Sequence, residues 1–140
     1  GRSSAAQMLR VATSSAMHSS RRPVTPSSST AREPSFVPGA IDRMMKVPDA
    51  ASVAAARALE RAIGRKAGGS TGTGLWSALR IVAEMVAAGR TGSVVTLLCD
   101  PGERYLDKYY SDAWLEEQGL DIEPYMKTLD IFLATGNWTD

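Results

Sequence analysis

The 140 residues carry 16 Lys and Arg against 15 Asp and Glu, a formal net charge of +1, so neither nucleic acid nor a membrane surface is implied as a partner, and the length accommodates one modest core. The single cysteine, Cys99, excludes an intrachain disulfide, and with one histidine, His18, it leaves no ligand set for a structural zinc. No apolar run approaches the roughly 20 residues that a membrane-spanning helix needs, and the expectation is a soluble protein of a reducing, cytoplasmic compartment.

Residues 1–32 are rich in Ser and Arg, with no acid before Glu33. Such a segment buries too little apolar surface to offset its ordering entropy, so a disordered tail is expected. Its composition is also that of an organelle transit peptide, with AAQMLRVA as a short amphipathic helix, which would place the protein in a mitochondrion or plastid; the other reading is unrelated sequence.

From residue 33 onward ordered elements are expected. MMKV at 44–47 is short enough for a strand, and Pro48-Asp49 then starts a helix, with Asp49 as its cap. In DAASVAAARALERAIG, Val53, Ala56, Leu59 and Ile63 form an apolar face and Gly64 supplies the stop. A second helix is predicted from Thr73 through LWSALRIVAEMVAAG, with Leu75, Leu79, Val82 and Val86 on one face and Gly89 at its end. SVVTLLC at 93–99 is β-branched and apolar without alternation, the pattern of a strand buried on both faces of a parallel sheet. Asp100-Pro101-Gly102 breaks it, ERYLDKYY opens another helix, and the remainder reads as helical turns broken at Gly119 and Pro124. This order predicts an α/β fold: a partial three-layer sandwich around a mostly parallel sheet, with ligands at the strand ends.

Between the first two helices lies KAGGSTGTGLW, with glycine at 68, 69, 72 and 74. Glycines let a backbone approach an anion, and free N–H groups at a helix start point toward it, so a phosphate site is one reading. A plain turn with a cap is another. The P-loop pattern is absent, because no Gly-Lys-Ser/Thr follows at the required place, and the dinucleotide fingerprint fails for want of a preceding strand and a following acid.

The stretch from EPSFVPGA through EEQGLD, about residues 33–121, resembles the C-terminal portion of pyridoxal-phosphate-dependent cysteine synthases and cysteine desulfhydrases of the tryptophan synthase β-like superfamily. The resemblance rests on the loop Gly68–Gly72, the helix after it, the strand at 94–99 and PGERYL at 101–106, in that order. It implies a β-elimination or β-replacement enzyme of sulfur amino-acid metabolism, acting on a serine derivative or cysteine. It further implies that the Ser70 hydroxyl meets the pyridine nitrogen of pyridoxal 5'-phosphate, that Gly69, Thr71 and Gly72 belong to the same cofactor loop, that PGERYL at 101–106 lies along the ring's far edge, and that Asp100 and Pro101, where that stretch begins, belong to the cofactor site. Asp100 and Pro101 depart from the serine that commonly precedes this glycine. Thr71 and Thr73 either support Ser70 or cap the helix.

The cofactor-bearing lysine, the substrate-carboxylate loop and the phosphate loop that the resemblance implies are not found in these residues. Lys46, Lys66, Lys108 and Lys127 read as solvated charges. The expectation is therefore a fragment without catalytic residues of its own, holding the cofactor non-covalently if at all. Two further readings stay open: an interaction protein that docks onto a full-length relative or a second copy through open apolar edges, and a small phosphate binder at 68–74.

Overall fold

The computed structural model describes residues 42–139; the expected tail at 1–32, its targeting role and residues 33–41 lie outside the described residues. Residues 42–46 belong to a separate unit and run without regular structure, so the strand expected at 44–47 is not formed.

The Ala-rich stretch after Pro48 forms α1, Asp49–Ile63. Pro48 occupies the cap position, and Asp49 sits inside the first turn, where its charge faces the positive end of the helix. Asp49 is thus a first-turn charge and not the cap. Gly64, at φ 70°, closes the helix by donating its N–H to the Glu60 carbonyl at 2.7 Å, a left-handed conformation that glycine adopts without steric cost. Burial is continuous from Ala51 to Ala56 and resumes at Ala58, so the small side chains are enclosed on more than one side, whereas Ile63 is exposed.

The second helix, α2, runs Gly69–Ala87 and begins four residues before the expected Thr73, taking most of the glycine-rich stretch into its first turns. Glycine inside a helix costs about 1 kcal/mol relative to alanine, so a compensating reason must exist. Gly72 lies directly on α1: a Cβ there would overlap the Ser52 backbone carbonyl. A Cβ on Gly74 would come within 2.7 Å of Thr96 Oγ1. Gly72 thus permits a backbone approach that any side chain would block, and Gly74 leaves room for the Thr96 side chain.

After α2 come a short 3-10 turn at Gly102–Tyr105, the helix α3 at Asp112–Glu117 and the helix α4 at Glu123–Thr135. The expected helix at 103–110 is therefore a single 3-10 turn followed by further turns. Gly119, at φ 65°, follows α3 as expected, but Pro124 does not break the chain. It stands in the first turn of α4, where its missing N–H would have no helical partner. The core forms where α1, α2 and α4 meet, around Ala51, Ala54, Ala55, Ala58, Trp76 and Leu129. Trp76 meets Tyr125 edge-on at 5.5 Å and Trp138 at 4.9 Å, which closes the side of the core toward the C-terminal residues.

The expected α/β sandwich is overturned. Among the described residues there is no strand and no sheet; one isolated antiparallel bridge joins Ala67 and Pro101, and the architecture is helical. The physical reason is partnership: an apolar β-branched run becomes a strand only when neighbouring strands take up its backbone N–H and C=O groups. Residues 91–99 find no such neighbour among the described residues, and Val95, Leu97 and Leu98 are 85%, 74% and 54% exposed.

Two glycine substitutions separate close packing from backbone conformation. Gly72→Ala should lower the unfolding free energy by about 3 kcal/mol, because the obstacle is backbone. Gly64→Ala, with open space around it, should lose only about 1–2 kcal/mol from the left-handed conformation. Urea unfolding of both variants checks the order.

Candidate functional site

The close approach of α1 and α2 brings their N-terminal turns side by side. Ser52 on α1 and Thr73 on α2 place their hydroxyl oxygens 2.8 Å apart, and the Thr73 hydroxyl donates to the Gly69 carbonyl at 3.0 Å. Beside this junction lies a cavity of about 320 Å³. Its polar lining includes Asp49, Ser52, Ser70 and Thr73, and its aromatic wall is made by Tyr105, Tyr109 and Trp114.

The wall is fastened to the glycine-rich turn from several directions. Cys99 donates its N–H to Thr71 Oγ1 at 2.9 Å, Gly68 donates to the Asp100 carbonyl at 3.0 Å, and Gly102 donates to the Lys66 carbonyl at 3.1 Å. A Cβ on Gly102 would overlap Lys66, so only glycine allows this crossing. The Tyr105 and Tyr109 rings stack at 4.9 Å, one lying on Gly68 and the other on Gly69, where added Cβ atoms would come 2.8 Å and 3.3 Å from the rings. Arg57 of α1 donates from Nε to the Tyr109 carbonyl at 2.7 Å, and Tyr110 both accepts from the Ala67 N–H at 2.9 Å and donates to its carbonyl at 2.8 Å. The segment 99–110 is thus a strap laid across the start of α2.

The residues expected to serve the cofactor divide into two groups. Gly69 and Ser70 line the cavity, and the Ser70 side chain is exposed to it at the first turn of α2. Thr71 is fully buried and turned to Cys99; Gly72 is buried on Ser52. Asp100 and Pro101 do not line the cavity but belong to the strap, Asp100 accepting the Tyr105 hydroxyl at 3.2 Å and Pro101 bridging to Ala67. Sequence reasoning reached Tyr105 only as part of PGERYL and passed over Asp49, Ser52, Tyr109 and Trp114 as cavity residues. The available signal was the four-residue spacing of Tyr105 and Tyr109 directly after the glycine-containing break.

Among the described residues no lysine lines this cavity. Lys66, read as a solvated charge, forms an ion pair with Glu60 and holds Nζ 5.2 Å from the Tyr110 ring centre. The larger groove, about 1000 Å³, runs along α1, α3 and α4 and includes the Arg57–Asp112 and Arg61–Asp130 pairs at 2.6 and 2.8 Å; it contains none of the expected site residues. Among the described residues no cluster of three His, Cys, Asp or Glu could hold a metal, and no helix is long and apolar enough to cross a membrane.

Comparison with known proteins finds 55% identity over 107 residues with L-cysteine desulfhydrase Cds1 of Mycobacterium tuberculosis, covering 76% of this chain and 29% of that protein. A presumptive cysteine synthase of Sinorhizobium fredii is 37% identical over 83 residues, 59% of this chain and 24% of its own length. The chain therefore spans less than a third of either relative. No family model and no solved structure matches.

Acceptance of its hydroxyl proton by Asp100 raises the Tyr105 pKa above the ordinary 10.0, with burial and the Asp100 charge adding in the same direction. A raised phenol pKa stabilises the folded chain below pH 10.0, and that contribution is lost as pH rises through the raised value. Asp100→Asn should return Tyr105 toward its ordinary titration and remove this alkaline stability loss. Ultraviolet titration of tyrosinate, compared with a Tyr105→Phe control, measures the shift.

Proposed function

Because the chain is related to cysteine desulfhydrases and cysteine synthases over part of their length, we propose that it forms the part of a pyridoxal-phosphate-dependent β-elimination or β-replacement enzyme that receives the cofactor's ring. The substrate class would be a serine derivative or cysteine. The observation that carries this reading is the Ser70 hydroxyl, exposed at the start of α2 in a cavity of about 320 Å³ with an aromatic wall. Such a volume stands at the lower end of ligand pockets, about 300–1,000 Å³, and suits a single ring.

The residues present fit the ring end of this group. When bound, pyridoxal phosphate supplies an electron sink for bonds at the amino acid's α-carbon. Ser70 offers a hydroxyl to the ring nitrogen; unlike a carboxylate, it does not stabilise a protonated pyridinium, which favours elimination over transamination. Tyr105, Tyr109 and Trp114 shield one side of the ring from water. The charged residue among the cavity's described lining is Asp49, an acid, so the phosphate is not held there and a phosphate-binding role finds no support. Covalent attachment and α-proton removal would come from outside these residues, and the chain alone would show no turnover.

A second reading is favoured by one specific observation, the exposure of Val95, Leu97 and Leu98 in a run with strand composition. That surface suits docking onto a longer relative, with or without catalysis. In that case Leu97→Lys should abolish co-elution with the relative, whereas Ser70→Ala should not.

The cofactor reading is tested by joining these residues to the portion of a relative that they do not span. The joined protein should show the visible absorption of bound cofactor. Ser70→Asp should move that absorption and slow elimination by about tenfold or more, a loss of about 1.4 kcal/mol in transition-state stabilisation. An unchanged spectrum and rate would remove Ser70 from the cofactor's ring.

A further inference from the structure

We propose that Thr71, which lies outside the cavity, is a positioning residue that fixes the two tyrosines of the cavity's aromatic wall in place through the strap at 99–110. The proposal rests on the ring-binding reading of the cavity, and its mechanical part stands on geometry alone. Thr71 is fully buried in the first turn of α2, between Ser70, which lines the cavity, and Gly72, which is pressed on α1. Its hydroxyl oxygen accepts the Cys99 N–H at 2.9 Å. The next residue, Asp100, is held twice: its carbonyl accepts the Gly68 N–H at 3.0 Å, and its carboxylate accepts the Tyr105 hydroxyl at 3.2 Å. Tyr105 in turn lies on Gly68 and stacks on Tyr109, and both rings line the cavity.

One side chain therefore joins the helix that presents Ser70 to the segment that presents the opposing rings. The run leading into Cys99 gives little support of its own, since residues 91–99 have no regular structure and Val95, Leu97 and Leu98 are exposed. Beside the backbone fastenings at Gly68 and Gly102, Thr71 is the side-chain anchor at the strap's start. A valine at 71 would keep the shape of threonine but leave the Cys99 N–H without its acceptor, whereas serine would keep the hydroxyl.

The test uses the full chain and three readouts. In Thr71→Val, the amides of Cys99, Gly68 and Gly102 should exchange with solvent about tenfold faster than in the parent chain, while the exchange of α4 amides stays unchanged. The Tyr105 titration should fall toward its ordinary range as the Asp100 contact loosens, and the affinity for added pyridoxal phosphate should drop about tenfold. Thr71→Ser should restore all three. Faster exchange confined to Cys99, with Gly68, Gly102 and the Tyr105 titration unmoved, would overturn the proposal, as would loosening of the strap with unchanged affinity for pyridoxal phosphate. If the parent chain shows no affinity for pyridoxal phosphate, the cofactor reading fails while the exchange and titration results still decide whether Thr71 positions the wall. Should Thr71→Val fail to fold, Thr71→Ser carries the decision: parent-like exchange supports the hydroxyl's role, and fast exchange at all three amides despite a retained hydroxyl contradicts it.

Discussion

The backbone contact between Gly72 of α2 and Ser52 of α1 is the constraint from which the rest of this structure follows. Because a Cβ at residue 72 would overlap the Ser52 carbonyl, the two helices approach as closely as backbone allows. That approach encloses the small side chains of α1 from Ala51 to Ala56 and puts the two N-terminal turns within hydroxyl contact at Ser52 and Thr73. A cavity at this junction takes an acid from α1 and hydroxyls from both helices. Packing and site are thus the same interaction seen from two sides.

The glycines serve three purposes, two of them within the glycine-rich stretch, that composition alone does not separate. Gly72 and Gly74 admit neighbouring segments against the helix, Gly68 and Gly69 receive the faces of two tyrosines, and Gly102 on the strap crosses Lys66. Ser70 and Thr71, adjacent in sequence, diverge by the helical turn of about 100° between successive residues, so that one reaches the cavity and the other the buried end of the strap. Neighbouring positions of one motif therefore divide between ligand contact and support.

Much of the helical layout was legible in the residues. The Ala-rich helix closing at Gly64 and the second helix ending before Gly89 both appear where their periodicity and stops indicate. The kinship with cysteine desulfhydrases and cysteine synthases, legible in two ordered motifs, is supported by identity over 107 residues. What misled was the apolar run at 93–99: its composition reports what a strand would bury, but strand formation depends on partners elsewhere, and none is present among the described residues. The start of α2 was also set too late, since glycine's weak helix propensity concealed the packing that overrides it. Most of the aromatic wall escaped for a different reason. Tyr105 was reached only as part of PGERYL, and Tyr109 and Trp114 not at all, because the strap that lays the two tyrosines on Gly68 and Gly69 is made by tertiary contacts that local pattern does not report.

The central claim is that the start of α2 and the strap together receive a ring and not a phosphate. It is tested most directly by mapping amide and side-chain resonances of the full chain during titration with pyridoxal phosphate and, separately, with inorganic phosphate. The account predicts shifts at Gly69, Ser70, Tyr105, Tyr109 and Trp114 with pyridoxal phosphate, and none at those positions with phosphate alone. Equal shifts with both ligands, or shifts confined to the groove between α1 and α4, would contradict it.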